Sequence, residues 1–250
     1  MDNNYKYSNQ AYINELLNND EDYYNAALNF IKSGISHDAK ILDYGCGTGN
    51  LVRILNEMGY SNVIGVDIDT DTIKMGRSGN KIENIYTLDE FNLSNNNFDF
   101  VVSHHVIEHV EDVYSFLMTL SDLVKVNGVL LIVTPNYLNP KGYLSYIKSK
   151  VTNKKLHLKP FNNGNLLWLC FMFIKSLIMT ISKLVFKNNY ILKVTPIDPN
   201  ISYGGDADAT LMSNYLDISI FLKSYSFQEL QDVNLLKKIS NDMYIGKKCK

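Results

Sequence analysis

Three glycines and two aspartates form the first candidate binding site in the sequence. In ILDYGCGTGNLV, residues 41–52, a carboxylate stands two positions before the first of three alternating glycines. Glycine permits close approach of the backbone to a ligand, and exposed N–H groups at the carboxyl end of a strand can bind polar groups. A second carboxylate, Asp67 in NVIGVDID, lies where it can accept both hydroxyls of an adenosine ribose. The alternative is a tight turn with Asp67 as a helix cap, a role that suits Asp69 or Thr70 better.

The spacing of these residues also predicts the charge of the ligand. In the dinucleotide fingerprint G-x-G-x-x-G the glycines leave room for a pyrophosphate, whereas this chain has D-Y-G-C-G-T-G. The carboxylate of Asp43 would repel a phosphate but can attract an ammonium group, directly or through water. The predicted ligand is therefore a cationic adenosine derivative without phosphate, which describes S-adenosyl-L-methionine.

A histidine cluster offers acid–base or metal chemistry. His104, His105, Glu108 and His109 lie within SHHVIEHV. In a helical turn the last three would fall at i, i+3 and i+4 and point together. The cluster could tie the loop down structurally, or His105 or His109 could act as general base on an acceptor hydroxyl, because imidazole titrates near neutral pH. The residue types alone leave these alternatives open.

Hydrophobic patterning predicts the elements that position these residues. Predominantly apolar runs such as FDFVV and GVLLIV are typical of strands buried on both faces, and they alternate with helical patterns. This alternation predicts an α/β fold, a parallel sheet covered by helices on both sides. We expect strands at 40–44, 62–68, 82–86, 98–103, 128–134, 228–236 and 243–249, and helices at 21–32, 49–58, 70–76, 112–125 and 216–224.

The same pattern divides the chain into four segments. Residues 1–38 form an N-terminal helical segment, 39–136 the ligand-binding core, 137–214 an insertion, and 215–250 the last helix and strand pair of the core. The insertion is too long for an ordinary loop, so we expect it to fold as a lid over the sheet.

Four motifs of the core resemble a known family. ILDYGCGTG, VIGVDID, NFDFVVSHHVIEHV and VNGVLLIVTPN resemble, in order and spacing, those of class I S-adenosylmethionine-dependent methyltransferases. The branch contains the ubiquinone-biosynthesis O-methyltransferases and many small-molecule and polysaccharide-precursor methyltransferases. The resemblance covers about residues 39–136 and, more loosely, the last helix and strand pair. It implies a Rossmann-like fold with a seven-stranded, mostly parallel sheet, an antiparallel final strand and a helical lid insertion.

The resemblance also implies roles for single residues. The cofactor-binding residues that it implies are Asp43, Gly45, Cys46, Gly47 and Gly49 at the methionine end, Asp67 and Ile68 at the ribose and adenine, Leu88 or Asp89 beside the adenine ring, and His104, through its backbone, at the methionine portion.

A metal is the third interpretation of the histidine cluster, and it also comes from the resemblance. Ubiquinone O-methyltransferases and small-RNA 2′-O-methyltransferases have Glu-x-x-Glu-His at this place and bind magnesium. The corresponding ligands here would be His105, Glu108 and His109. Because His105 replaces the first Glu, and imidazole suits Zn, Mn or Fe better, a divalent metal at this place need not be magnesium.

The insertion carries an excess of positive charge. Residues 137–194 contain ten lysines and no Asp or Glu, so this stretch is +10 and, with a net charge of −2, the remainder is −12. Residues 166–186 predict an amphipathic helix. Its predicted polar side has Lys175, Ser176, Thr180, Ser182 and Lys183, continuing to Lys187, and its apolar side Ile174, Leu177, Ile178, Ile181, Leu184 and Val185. We expect a lid helix packed on the core or on a second subunit; peripheral contact with an anionic membrane and a membrane span are alternatives.

The expected acceptor follows from these charges. Lysines near the pocket suit an anionic or sugar-linked small molecule, although they could merely solvate the lid. Asp206 and Asp208 could bind sugar hydroxyls, serve as base or form a turn. We expect O-methylation of such an acceptor in bacterial surface polysaccharide or capsule biosynthesis. O-methylation of a lipid-like quinone precursor at the membrane, or a non-catalytic cofactor-binding regulatory module, are the alternatives.

Composition limits the protein class. The chain is 46% apolar and 20% charged, as is ordinary for a soluble globular protein. Its three cysteines, Cys46, Cys170 and Cys249, have neither paired nor metal-ligand spacing, and MDNNYKYSNQ lacks the features of a secretory signal. We therefore expect a cytoplasmic protein. It would be membrane-associated if the 166–186 helix binds a membrane. No nucleic-acid partner is expected, because the insertion lacks interleaved aromatic residues for stacking. The sequence leaves open whether the chain forms a homodimer.

Overall fold

A computed structural model describes residues 16–93, 97–136, 139–152, 166–186, 192–193, 211–212, 215–230 and 242–250. The strands are β1 (Ile41–Tyr44), β2 (Val63–Asp67), β3 (Ile85–Thr87), β4 (Phe98–His104), β5 (Val124–Val133), β6 (Leu192–Lys193), β7 (Leu211–Met212), β8 (Phe227–Glu229) and β9 (Met243–Lys248). The helices are α1 (Asn25–Gly34), α2 (Asn50–Glu57), α3 (Thr70–Gly79), α4 (Val113–Leu123), α5 (Pro140–Thr152), α6 (Leu166–Phe186) and α7 (Tyr215–Ser224), with a 3-10 turn at Ile107–His109.

The central sheet has seven strands in the order β3-β2-β1-β4-β5-β9-β8. Strands β1 to β5 pair in parallel, and β9 runs antiparallel to both β5 and β8. The predicted Rossmann-like architecture, mostly parallel with an antiparallel final strand, is therefore confirmed. The predicted strand at 228–236 is described only as far as Leu230, and its strand residues are Phe227–Glu229.

Hydrophobic cores cover both faces of this sheet. Successive residues of a strand point to opposite faces, and the neighbours Ile41 and Leu42 of β1 belong to different apolar clusters. Helices α1, α2 and α3 supply buried side chains to the first cluster, whereas α4 and α7 supply them to the second. This three-layer packing explains why apolar residues occupy both faces of these strands instead of one.

The strand order creates a binding crevice at the carboxyl ends of β1 and β4. From β1 the chain proceeds outward through β2 and β3, and it then returns to β4 on the other side of β1. Such a point of reversal leaves a gap between the connections on the two sides, where open α/β sheets bind their ligands. The glycine loop follows β1 and the histidine cluster follows β4, so both lie at this crevice.

The described parts of the insertion form a helix pair and a small sheet. Helix α5 packs against α6, β6 pairs antiparallel with β7, and β7 contacts the 3-10 turn Ile107–His109. Part of the insertion therefore lies beside the histidine cluster. None of the helices in the described part of the chain has the length and apolar character needed to cross a membrane.

Helix α6 has the predicted bounds, and its apolar side faces away from the rest of the protein. Ser176 and Thr180, from the predicted polar side, are buried, whereas Ile174, Ile178 and Ile181 from the predicted apolar side are exposed. The buried stripe runs along Leu169, Met172, Ser176 and Thr180. The periodicity identified two sides correctly, but it could not tell which one faces the rest of the protein.

Candidate cofactor and acceptor site

The loop after β1 needs glycine at its turning points. Gly45, Gly47 and Gly49 have φ angles of 83°, 54° and 77°, a left-handed region that favours glycine. A Cβ on Gly45 would lie 2.3 Å from Cγ2 of Val106, and one on Gly49 would lie 2.8 Å from Cγ2 of Ile85. The glycines therefore allow the loop to lie directly against the neighbouring elements, and Gly49 is the N-cap residue of α2.

Asp67, at the end of β2, ties this loop to the next turn. Its carboxylate accepts hydrogen bonds from the backbone N–H of Gly47 at 2.8 Å and of Asp69 at 3.0 Å. Burial raises the pKa of Asp67, and these hydrogen bonds oppose the rise. Asp69 caps α3, since its side chain accepts from the backbone N–H of Thr72. The cap is thus Asp69, whereas Asp67 accepts from the glycine loop; both residues belong to the lining of the cavity.

Asp43 is a buried carboxylate beneath the same loop. It lies in β1 and is almost fully buried. Burial, with the charge of Asp67 as the second cause, raises the pKa of Asp43 to about 8. A cation brought next to Asp43 would favour its ionised form. The pair of carboxylates therefore makes this end of the crevice suited to a positively charged ligand.

A cavity of about 450 Å³ lies at the crevice. Its lining includes the predicted residues Gly45, Cys46, Gly47, Asp67, Ile68, Leu88, His104, His105 and His109. Asp43, Gly49, Asp89 and Glu108 are not among the lining residues; Asp43 and Glu108 are buried behind it, and Asp89 is exposed. Ile68 lies at the rim with 78% of its surface exposed, so a flat ligand group could cover it.

Several lining residues lie outside the motifs. Leu16, Asn19, Tyr23 and Tyr24 come from the segment that precedes α1. The ring of Tyr23 lies 5.0 Å from that of His104 and 5.6 Å from that of His105, measured between centroids. The sequence also did not predict a further set of lining residues, most of which lie within the motifs: Tyr44, Thr48, Asp69, Thr72, Val106, Val110 and Phe116. The abundance of tyrosine before α1 was the signal available for the first group.

His105 is held in an unusual conformation by a buried carboxylate. Its φ is 58°, its backbone N–H donates to the carbonyl of Val133 at 2.9 Å, and its Nδ1 lies 3.2 Å from Oε1 of Glu108. Glu108 is fully buried, and its Oε2 accepts from the hydroxyl of Thr134 at 3.1 Å. Left-handed backbone at a non-glycine residue is typical of functional sites. Because Glu108 engages Nδ1, Nε2 is the nitrogen through which His105 can exchange a proton with a ligand.

His104 differs from its neighbour in its electrostatics. It is buried at the end of β4, and its Nδ1 has no hydrogen-bond partner within the described part of the chain. Burial, and secondarily the charge of His105, lowers the pKa of His104 to about 3. His104 is therefore neutral at physiological pH and unsuited to general acid–base work there.

The cluster does not have the geometry of a metal site. The turn at Ile107–His109 is a 3-10 turn and not the α-helical turn that would align His105, Glu108 and His109. Both carboxylate oxygens of Glu108 are engaged by His105 and Thr134. Within the described ranges, no three His, Cys, Asp or Glu side chains are grouped to hold a metal. These residues therefore do not fit the divalent metal that the resemblance implied.

Asp206 and Asp208, and four of the lysines of the insertion, Lys154, Lys155, Lys159 and Lys187, lie outside the described residues.

Comparisons with known proteins identify relatives of the chain. A family model described as "Methyltransferase domain" matches residues 5–170. The chain is 36% identical to the ubiquinone biosynthesis O-methyltransferase of Rickettsia canadensis over 42% of this chain and 46% of the relative. It is also 36% identical to the mitochondrial ubiquinone biosynthesis O-methyltransferase of Dictyostelium discoideum, over 44% of this chain and 38% of the relative. The chain thus spans less than half the length of these curated relatives.

Solved structures show the same fold. A putative S-adenosylmethionine-dependent methyltransferase from Listeria monocytogenes matches 91% of this chain and 100% of its own, with a TM-score of 0.55 and 11% identity. An S-adenosylmethionine-dependent methyltransferase from Aquifex aeolicus matches 96% of this chain and 97% of its own, with a TM-score of 0.52 and 12% identity.

Proposed function

Because the chain belongs to the class I S-adenosylmethionine-dependent methyltransferases, we propose that it methylates a phenolic hydroxyl of a small aromatic acceptor of the quinone-precursor type. The observation that carries this proposal is the His105–Glu108 pair at a cavity wall that is otherwise largely aromatic and aliphatic, with Tyr23, Val110 and Phe116 in its lining. Such a wall suits an aromatic ring better than a sugar. The names of the curated relatives support the same acceptor class.

The cofactor would occupy the part of the cavity between the glycine loop and β2. Asp67 would bind the ribose hydroxyls, Ile68 and Leu88 would cover the adenine, and the ammonium group would lie close to Asp43. Asp67 already accepts two backbone hydrogen bonds, so it is oriented before the ligand arrives. His105 and His109 of the cavity lining would then lie on the side of the methyl group that the cofactor supplies.

His105 supplies the proton acceptor for the reaction. The phenolic oxygen attacks the methyl carbon in line with the sulfur; an oxygen–carbon bond forms, the sulfur–carbon bond breaks, and S-adenosylhomocysteine leaves. Nε2 of His105 takes the hydroxyl proton, and Glu108 stabilises the imidazolium that results. A phenol has a pKa of about 10, so a single base is sufficient.

The lysines of the insertion favour a second candidate, a sugar-linked or phosphorylated acceptor of surface polysaccharide synthesis. The relatives support this candidate less, because those reported above are named for ubiquinone biosynthesis.

Both candidates can be tested in one assay. The protein is incubated with S-adenosylmethionine labelled in the methyl group and, separately, with prenylated dihydroxybenzoates, unprenylated catechols, sugar nucleotides and phosphorylated sugars. We expect label in the phenolic compounds. Transfer only to sugar compounds would establish the second candidate. Binding of S-adenosylhomocysteine without transfer to any of them would support the regulatory module instead.

A further inference from the structure

We propose that the helix pair α5–α6 binds the surface of an anionic lipid bilayer, with α6 lying in the plane of the interface. The feature behind this inference is an exposed apolar stripe on α6. Leu167, Phe171, Ile174, Ile178, Ile181 and Val185 follow one another at intervals of four, three, four, three and four residues, and they are between 51% and 82% exposed. Residues so spaced share one face of a helix.

The rest of α6 shows that this face is turned outward. The opposite side, with Leu169, Ser176 and Thr180, is buried, and α5 packs on α6. The hydroxyl of Ser176 donates to the carbonyl of Phe173 within the helix, so its polar group is satisfied where it lies. Rotating α6 to bury the apolar face would expose this packed side. Large apolar residues lie on the outer side of α6, while Ser176 and Thr180 are buried together with Leu169 and Met172, and a helix that faces water has polar residues on its outer side instead.

Charge decides between a lipid surface and a second copy of the chain as the partner. The stretch 137–194 has ten lysines and no acidic residue. A symmetric dimer through α6 would bring two such stretches together, and like charges repel. An anionic bilayer has the opposite charge, and each lysine near its surface adds to binding. Helix α5 contributes to this surface, with Lys141 and Lys148 exposed along with Leu144 and Val151.

The width of the apolar face also favours lipid. Leu177 is exposed on the flank of the stripe, and so is Trp168 near the start of the helix. A coiled-coil seam uses two positions per heptad, whereas an interfacial helix has a broader apolar face with cations at its edge. An aromatic residue at the edge of an apolar face is typical of membrane interfaces.

Lipid binding extends the proposed function without depending on it. An enzyme held in this way could take a prenylated phenol directly from the bilayer, because part of the insertion, β7, contacts the turn that carries Glu108 and His109. The binding itself requires no acceptor, so it can be measured separately.

The test is flotation of the full chain with vesicles of phosphatidylcholine alone or with about one third phosphatidylglycerol. We expect flotation with the anionic vesicles only, weakened by about 0.5 M salt. The double variant Phe171→Asp/Ile178→Asp should reduce binding at least tenfold. Met118→Asp, which changes an exposed apolar residue of α4, is the matched control and should bind as the wild type does. Circular dichroism and S-adenosylhomocysteine binding show that each variant is folded.

Two results would overturn the inference. One is absence of flotation with the wild-type chain. The other is a dimer in light scattering that Phe171→Asp/Ile178→Asp converts to monomer, with lipid binding unchanged. Methyl transfer to an unprenylated catechol in vesicle-free buffer tests the proposed function alone. A failure of lipid binding is therefore distinguishable from a failure of the proposed function.

Discussion

Nδ1 of His105 lies 3.2 Å from Oε1 of Glu108, a carboxylate without exposed surface. Thr134 donates to the other oxygen of Glu108, and the backbone of His105 is pinned to Val133 in β5. The imidazole is therefore oriented by β5 and by the 3-10 turn together. This arrangement resembles the base and orienting carboxylate of other proton-transfer sites, in which the carboxylate fixes the tautomer and stabilises the charged ring.

Removing the charge of Glu108 should slow methyl transfer and leave cofactor binding unchanged. Glu108→Gln keeps a hydrogen-bonding group of the same size but cannot stabilise an imidazolium, so we expect kcat to fall about 10²-fold. Steady-state kinetics with a phenolic acceptor measure this. The kcat of Thr134→Ser should resemble that of the wild type. The kcat of Thr134→Val should lie between those of the wild type and Glu108→Gln, because valine lacks the hydroxyl that serine keeps. Equal kcat values for all four proteins would show that Glu108 does not orient the base.

Asp67 should determine cofactor affinity. Asp67→Ala removes the acceptor for the ribose hydroxyls and the bond to Gly47, so we expect the Kd for S-adenosylhomocysteine to rise about 10²-fold. Asp71→Ala, an exposed carboxylate paired with Lys74 on α3, is the control and should bind normally. Isothermal titration calorimetry gives both constants. An unchanged Kd for Asp67→Ala would place the ribose elsewhere.

Cofactor binding should release a proton from Asp43. Burial, followed by the charge of Asp67, raises the pKa of Asp43 to about 8, so the free protein carries it mainly protonated at pH 6.5. An adjacent ammonium group favours the ionised form, and affinity should rise with pH until about 8 and then level off. Calorimetry of S-adenosylhomocysteine binding in buffers of different ionisation enthalpy counts the protons. Asp43→Asn should abolish the release; release of the same size from that variant would assign it to another group.

The raised pKa of Asp43 should also make the stability of the folded protein depend on pH. The folded-state pKa of Asp43 lies above its ordinary value, so its contribution to the stability of the free protein is greatest below the ordinary value. That contribution is lost as the pH rises toward 8. Urea unfolding at several pH values would show a shallower pH dependence in Asp43→Asn.

Gly45 should tolerate no side chain while Val106 is present. Gly45→Ala adds a Cβ that would lie 2.3 Å from Cγ2 of Val106, at a φ of 83°, and we expect a loss of about 1–3 kcal/mol in the free energy of unfolding. Val106→Ala in the same chain removes the contact and should restore part of that loss. Urea denaturation of the single and double variants measures the coupling. Fully additive effects would mean that the loop avoids the contact by moving.

The mostly parallel sheet and the placement of the glycine loop at a strand end could be predicted from the sequence because local signals determined them. Apolar runs identified the strands, and Gly45 and Asp67 lie at the strand ends where the fold needs them. The histidine cluster was located correctly, but its turn is 3-10 and not α-helical, since local spacing does not distinguish these two geometries over one turn.

Other features depended on contacts distant in sequence. Tyr23 lies beside His104 only because the N-terminal segment folds back over the crevice, and no motif in the sequence encodes that contact. The outward face of α6 depends on how α5 packs against it, which periodicity does not contain. The hydrogen bond from Thr134 to Glu108 joins two loops at the ends of neighbouring strands. Predicting it would have required the register of β4 against β5.

The role of His105 as the base is tested most directly by the rate of methyl transfer from S-adenosylmethionine to a catechol, measured for the wild type, His105→Ala and His109→Ala at matched cofactor saturation. The structure predicts a loss of about 10² to 10⁴-fold for His105→Ala, with an unchanged Kd for S-adenosylhomocysteine, and a smaller loss for His109→Ala. A wild-type rate in His105→Ala would contradict the assignment of the base.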